Sequence, residues 1–443
     1  MSKSLSLLLG AWLMLGFTQL AYSQTESSES AQEVKTGFNV GAVPGVGYDA
    51  DLGFMYGVVG NIYHYGDGSQ FPRYNHSLYV QLLGYTKGTT SLNLTYNSFT
   101  LIPSVQTTAS LSYVNNQAEQ FYGFNGYETV YNADWTDQSS PDYLTRMFYR
   151  HDRKLVQGYA NLQDTIGSSK FQWIAGVEIN HYDIGSVNLE KLNDGRDDED
   201  KLPEVPGIYD RYVDWGLIGE DEADGGWFNS IKLGLIYDNR DRLTNPTKGM
   251  FTQLMFRAGP DFIGNDQSFY KFSIIHRQYL SLPKLPLTFA YRLWYEKNLG
   301  NQLPFYGQSL LTNGTPTLGA GGQRTMRGIL RNRVLGEDIF MFTAEMRWTM
   351  VHFQFLKQKW YIGSNIFLDG AQATRLIDVD PSQIPAEEYA QFFAPGTEGM
   401  HMSAGGGLKF VMNQNFCVAA DYGIALDDRD GSSGFYLVMD YMF

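Results

Sequence analysis

The chain has 443 residues; 15% are aromatic, only 18% are charged, 47 are glycine, and the net charge is −14. After the N-terminus no apolar run reaches the roughly 20 residues that a membrane-spanning helix needs. The acidic balance argues against a nucleic-acid partner.

Met1 to Ser23 reads as a secretory signal peptide (1–23). Lys3 supplies the positive start, Leu5 to Leu20 the apolar run, and Ala21-Tyr22-Ser23 the small-residue cleavage pattern. Residues 24–36, rich in Ser, Glu and Gln, read as a flexible periplasmic linker. From there to Phe443 the chain alternates in many short segments. Sixteen strands are expected, at about 38–48, 52–65, 75–87, 90–101, 103–115, 143–164, 170–184, 227–238, 249–259, 268–281, 287–299, 339–350, 360–370, 399–411, 415–426 and 434–443. The segments 38–65 and 90–115 can each be divided in more than one way. Abundant aromatics, alternation and an even strand count fit an outer-membrane barrel better than a soluble sandwich or propeller. The expected fold is therefore all-β: a 16-stranded antiparallel transmembrane β-barrel over 37–443 with long extracellular loops.

The first strand is weakened by Gly37, Gly41, Gly45 and Gly47, and Pro44 removes a ladder donor. It must pair with 434–443 to close the barrel. The seam between Pro44 and the strand ending at Phe443 is expected to be the poorest-bonded junction. It is either a gate that opens sideways or simply an irregular edge.

Further along, Tyr122-Gly123-Phe124-Asn125-Gly126 lies in an outer loop, where aromatics are expected at the membrane interface. The loop from Glu190 to Asp224 holds thirteen carboxylates against four basic residues. Asp194 to Asp200, and the second acidic turn Asp427 to Gly431, offer oxygen ligands for calcium. Neither spacing matches an EF-hand, so a solvated, self-repelling surface is expected and no metal site is assigned. Pro246 and Gly249 make the stretch Asn245 to Gly249 a structural turn.

In the strand at 287–299, Arg292 shares a face with Thr288, Ala290, Trp294 and Glu296. Facing Arg292 to lipid near the midplane would cost roughly 2–4 kcal/mol, so this face should be the lumen. The glycine-rich loop Gly319-Ala320-Gly321-Gly322 runs on through Arg327-Gly328-Ile329. In the next strand Glu345 and Arg347 share the more polar face. In the one after it Asp369 does. A cation on a loop tip and carboxylates on nearby walls suggest a pinned loop; the alternative is that Arg327 lines the pore of a general porin.

Second-half connections alternate between short and long, with Asn239 to Lys248, Leu282 to Pro286, Val351 to Lys359 and Met412 to Gln414 short. This places both termini in the periplasm. Cys417, the one cysteine, excludes an internal disulfide and reads as a small packing residue. No Gly-x-Ser-x-Gly elbow or His-Glu-x-x-His occurs, and the seven histidines are scattered. No catalytic residue and no cofactor is assigned, and the chain is read as not an enzyme.

These residues resemble the BamA/TamA superfamily of outer-membrane assembly and translocation barrels. Gly321-Gly322 with Met326-Arg327-Gly328-Ile329 resembles the family's sixth extracellular loop, whose tip usually has an aromatic where Ile329 stands. Phe342-Thr343-Ala344-Glu345-Met346-Arg347 and Phe367-Leu368-Asp369-Gly370 resemble the two following strand motifs. Tyr237-Asp238-Asn239-Arg240-Asp241 with Asn245-Pro246-Thr247-Lys248-Gly249 resembles a periplasmic turn. The resemblance implies that Arg327 folds into the lumen and contacts Asp369 or Glu345, with Gly328 and Arg347 in the same latch. It also implies the outer membrane of a Gram-negative bacterium and a surrounding of outer-membrane lipids. A polypeptide client is expected, as is assembly machinery that reads the C-terminal strand ending in Phe443. Members usually carry POTRA domains; residues 24–36 leave no room for one, so a barrel-only branch is expected. The expected function is translocation or assembly of outer-membrane or surface components. The alternative is a passive channel or structural barrel with a loop-plugged lumen.

Overall fold

The computed structural model describes residues 34–443 apart from 51, 72, 313–318, 356–357, 413–415 and 440. The signal peptide and most of the linker expected from the sequence lie outside the described residues. Alternation along each segment produces strands, and seventeen of them form one sheet. They are β1 (Phe38–Asp49), β2 (Gly53–His64), β3 (His76–Tyr85), β4 (Thr89–Ile102), β5 (Val105–Gln120), β6 (Arg150–Thr165), β7 (Phe171–Gly185), β8 (Gly225–Trp227) and β9 (Ser230–Asp238). There follow β10 (Gly249–Gly259), β11 (Phe269–Ser281), β12 (Leu287–Asn298), β13 (Asp338–Phe355), β14 (Gln358–Arg375), β15 (His401–Met412), β16 (Phe416–Ala425) and β17 (Ser433–Met439).

Both β8 and β9 pair with β7, so they are two pieces of one interrupted strand. Each neighbour pairs antiparallel, β17 returns to β1, and the barrel closes with sixteen strands. The polarity of the wall is inverted relative to a soluble protein. Val58, Leu111, Ile179, Leu233 and Ile366 are exposed on the outside. Arg257, Arg292, Glu345 and Asp369 are buried within. A surface facing hydrocarbon must be apolar, and the enclosed face is left to carry the charge.

Several boundaries differ from the sequence reading. The strand expected from residue 143 begins at Arg150, because Thr145 to Tyr149 are occupied in loop turns. β5 continues to Gln120, and β13 and β14 reach Phe355 and Gln358, so the turn expected over Val351 to Lys359 is far tighter. The last strand stops at Met439. Tyr441 and Phe443 are buried inside the barrel, not in the wall. Phe443 is therefore not a seam residue. Pro44 lies within β1, in register with Val58 of β2, and among the described residues the registered pair across the seam is Tyr48 with Leu437.

Connections 121–149, 186–224, 299–337 and 376–400 rise from the same end of the barrel. Their apolar residues form a shared core: Phe121, Tyr122, Phe124, Phe148, Tyr212, Phe305, Phe392 and others. Tyr122 and Phe124 therefore do not sit at the membrane interface; they are buried in this dome. Long loops that pack on one another can bury rings more completely than the headgroup region does.

Candidate functional site

The lumen is occupied by the loop that precedes β13. Its glycines let it fold back tightly. The Gly321 N–H donates to Thr325 Oγ1 at 2.9 Å, and that hydroxyl lies within donating distance of the carbonyls of Gly319 and Gly321, at 2.8 and 2.7 Å. Gly322 N–H reaches the Ile329 carbonyl at 2.9 Å. The turn projects Arg327, which is 1% exposed, against the inner wall.

Arg327 meets that wall along its whole guanidinium. Nε and Nη2 donate to the two oxygens of Asp369 at 3.0 and 3.1 Å, and the Arg327 main-chain N–H adds a third bond at 3.0 Å. Nη1 lies 2.7 Å from Glu345 Oε1 and 3.6 Å from Asp421 Oδ2. The guanidinium stacks on Phe367, 3.4 Å from the ring centroid. Strand alternation brings the three carboxylates inward from β14, β13 and β16. Such a fork of charge-assisted bonds fixes both position and orientation.

Gly328 follows in a left-handed conformation (φ 93°), and its N–H donates to Tyr436 Oη at 3.1 Å. A Cβ on Gly328 would lie 2.5 Å from the carbonyl carbon of Gly423. A Cβ on Gly423 would lie 2.5 Å from the Arg327 carbonyl oxygen. Two glycines thus let the loop backbone lie directly on β16.

Arg347 does not touch Arg327. Its Nε donates to Glu345 Oε2 at 2.7 Å, and its Nη2 to the Phe443 main-chain oxygen at 2.9 Å. Glu345 therefore bridges the two arginines. Arg292, inward as its strand pattern requires, donates to the carbonyls of Arg324 and Thr325 at 3.1 and 3.2 Å and braces the loop from behind. Pro44 stands apart from this group, in β1.

Three groups were not singled out from the sequence. The first is Asp421 with Lys409, whose Nζ lies 2.6 Å from both Asp421 oxygens; charges in alternating strands would have found it. The second is Gly423, which carries no sequence signal of its own. The third lies where the loop meets the dome. Arg331 Nη2 and Asn332 Nδ2 grip Glu119 at 3.0 and 2.8 Å. Arg333 Nη1 donates to the Gly126 carbonyl at 2.7 Å. Asp430 is fully buried, 2.5 Å from His401 Nδ1 and 2.6 Å from Tyr127 Oη. The turn Asp427 to Gly431 is thus not wholly a solvated acidic surface, because one of its carboxylates ties loops together. At its rim Arg429, hydrogen-bonded to Asp427 at 2.7 and 3.0 Å, lowers that carboxyl to about 2. Asp198, by contrast, is exposed and pairs with Lys201 at 2.5 Å.

A cavity of about 490 Å³ remains between the loop and the first strands. Tyr79, Gln81, Asn93, Thr95 and Ser112 line one side, Gln323 and Arg324 the other, and Tyr48 and Leu437 of the seam lie at its edge.

The Omp85 superfamily domain matches residues 82–443. The fold is similar to that of BamA from Haemophilus ducreyi lacking POTRA domains 1–3, with a TM-score of 0.55 at 15% identity over 99% of this chain and 78% of that one. It is similar also to CdiB from Escherichia coli, with a TM-score of 0.55 at 10% identity over 96% and 69%. CdiB from Acinetobacter baumannii gives a TM-score of 0.50 at 12% identity over 93% and 61%. No curated protein matches the sequence.

Proposed function

The chain belongs to the Omp85 superfamily, and we propose that it is an outer-membrane barrel that translocates or assembles outer-membrane or surface components. Family membership supports assembly or translocation in the bacterial outer membrane as the general activity, and supports a non-enzymatic reading. The finer reading is that the lumen is held shut by a removable loop. The observation that carries it is the Arg327 fork: a single side chain joins the loop to β13, β14 and β16. A plug that must be both secure and releasable is well served by one point of concentrated charge pairing.

In this reading the apolar outer band contacts lipid, a polypeptide is the client, and the Pro44 edge of β1 belongs to the moving part of the seam. We propose too that partner machinery reads the C-terminal strand during the barrel's own insertion, and that the bacterium is Gram-negative. The dome favours a second reading, a passive or structural barrel with a plugged lumen, because its aromatic core packs the long loops against one another at one end of the barrel.

Planar-bilayer conductance and genetic rescue separate the two. For the translocation barrel, wild-type conductance is small, Arg327→Ala raises it, and the variant fails to rescue a deletion strain. Large, steady wild-type conductance overturns the plug. Full rescue by Arg327→Ala leaves the structural reading.

A further inference from the structure

On the inner wall, away from the dome, two arginines stand directly opposite each other. Arg277 of β11 and Arg292 of β12 are registered partners, so their side chains leave the same face as close neighbours. Phe251 continues the row on β10 and Thr343 on β13. The Arg277 guanidinium lies 5.3 Å from the Phe251 ring centroid. Arg292 turns its Nη groups to neutral acceptors only: the Arg324 and Thr325 carbonyls at 3.1 and 3.2 Å and the Thr343 hydroxyl at 3.2 Å.

Among the described residues neither arginine has a carboxylate partner, and Arg277 donates no hydrogen bond. Nε of each is buried without an acceptor, and so is Nη1 of the nearby Arg347. The guanidiniums around the pair are compensated. Arg240 lies 2.7 Å from Asp238, and Arg347 lies 2.7 Å from Glu345. The Phe443 main-chain oxygen accepts from Arg347 at 2.9 Å. Like charges directly opposite on a sheet repel, and an uncompensated charge inside a protein is costly. The chain as a whole carries a net charge of −14, yet no described carboxylate reaches these two cations. A counter-ion supplied from outside the chain answers both observations.

We propose that Arg277 and Arg292 form a lumen site for a phosphate-bearing anion. A phosphate group carries three acceptor oxygens and close to two negative charges, enough to face two guanidinium forks at once. A single carboxylate offers one charge to two cations. Arg277 is only half-buried, so the pair is open to the lumen. Ser281 ends β11 four residues further on, roughly 13 Å of strand, so the pair stands near the short-turn end of the barrel. The Nε of Arg277 and of Arg292 and Nη1 of Arg347 are the donors left for the ligand. Inorganic phosphate and the phosphate of a lipid headgroup share this chemistry. The site stands on charge and geometry and does not depend on transport.

The folded barrel, in an uncharged detergent and a phosphate-free buffer, is titrated by calorimetry with inorganic phosphate and with dihexanoyl phosphatidic acid at constant ionic strength. Saturable binding of either one, absent with chloride, is the expected result. Tighter binding of the phosphatidic acid assigns the site to a lipid headgroup, and equal or tighter binding of inorganic phosphate assigns it to the free anion. Arg277→Gln lowers the affinity at least tenfold, the factor expected from one lost charge-assisted contact. Because Arg277 holds no other group by a hydrogen bond, the variant without ligand loses its heat-modifiable form at the same temperature as the wild type or a higher one. Phosphate raises that temperature in the wild type and not in the variant. Arg277→Lys, which keeps the charge and loses the fork, binds with intermediate affinity and decides the matter if Arg277→Gln gives no heat-modifiable barrel. The proposal is overturned if neither phosphate compound binds, if chloride competes equally, or if the Arg277 variants bind like the wild type. A ligand-free Arg277→Gln barrel that melts well below the wild type overturns it too, since Arg277 would then be serving the wall itself.

Discussion

Arg327 joins the loop to three carboxylates of the inner wall. Its partners Asp369 and Glu345 are 0% and 2% exposed, so removing the guanidinium leaves two carboxylates buried without it. Breaking a buried pair in this way costs about 3–5 kcal/mol, mostly from the charge left behind. Arg327→Ala should therefore free the loop, and limited proteolysis of the folded barrel at Gly321–Gly322 should speed up markedly. Unchanged cleavage would count against the latch. Arg327→Lys keeps the charge but loses the fork and the stacking on Phe367, so its cleavage rate should fall between the two. Asp427 gives a pH-dependent counterpart at the surface. Arg429 depresses its carboxyl from 3.8 to about 2, so the contact is complete above about pH 4 and is lost as pH falls through about 2. Cleavage of the Asp427–Gly431 turn by an acid-active protease should rise only below about pH 3 in the wild type. In Asp427→Asn it should be high at every pH tested.

Turns and loops act as units whose stability comes from different sources. The turn between β9 and β10 is held by side chains. Asp241 Oδ1 accepts from the Thr247 and Lys248 N–H groups at 2.9 and 3.2 Å, and Oδ2 from Thr247 Oγ1 at 2.7 Å. Asp238 and Arg240 form a fork beside it at 2.9 and 2.7 Å. Pro246 and Gly249 shape the turn; Asp241 holds it. The dome, by contrast, is held by packing. Trp215 packs against Phe392 and Phe393, with ring centroids 5.9 and 5.6 Å away, and its Nε1 donates to Glu388 at 2.7 Å. Glu388 also takes Arg211 at 2.7 Å, joining two loops. Trp215→Ala should cost about 3–5 kcal/mol of loop packing and leave an indole-sized gap. The expected result is protease-sensitive loops on a barrel whose heat-modifiable migration is unchanged. Loss of that migration would show that the dome also supports the wall.

Across the whole barrel the seam is unlike the other junctions. Most neighbouring strands share long registers, whereas among the described residues β1 and β17 are registered at Tyr48 and Leu437. Fewer ladder bonds mean a lower cost of local opening at that junction. A disulfide between Tyr48→Cys and Leu437→Cys, with Cys417 replaced, should raise the denaturation temperature of the oxidised barrel. If sideways opening is part of function, the oxidised barrel fails to rescue a deletion strain and reduction restores rescue. Rescue by the locked barrel would remove the gate and leave an irregular edge.

Strand positions and the inward direction of Arg292, Glu345, Arg347 and Asp369 were legible from the residues, because which face of a strand a side chain takes is settled by parity within a few residues. The loop tip with Arg327 was legible through its glycines and its resemblance to a family motif. The dome, the glycine seat at Gly423 and the inward turn of Phe443 were not. Each depends on which distant segments meet: Tyr127 and Asp430 are 303 residues apart, and Arg347 and Phe443 are 96. Loop aromatics have no period to betray a partner, and the alternation of the last strand continues past Met439 as though the wall did. The local pattern determines that Tyr441 and Phe443 can be strand residues. Only the closed barrel, by enclosing two arginines and a tyrosine ring beside the chain's last turn, decides that they lie in the lumen.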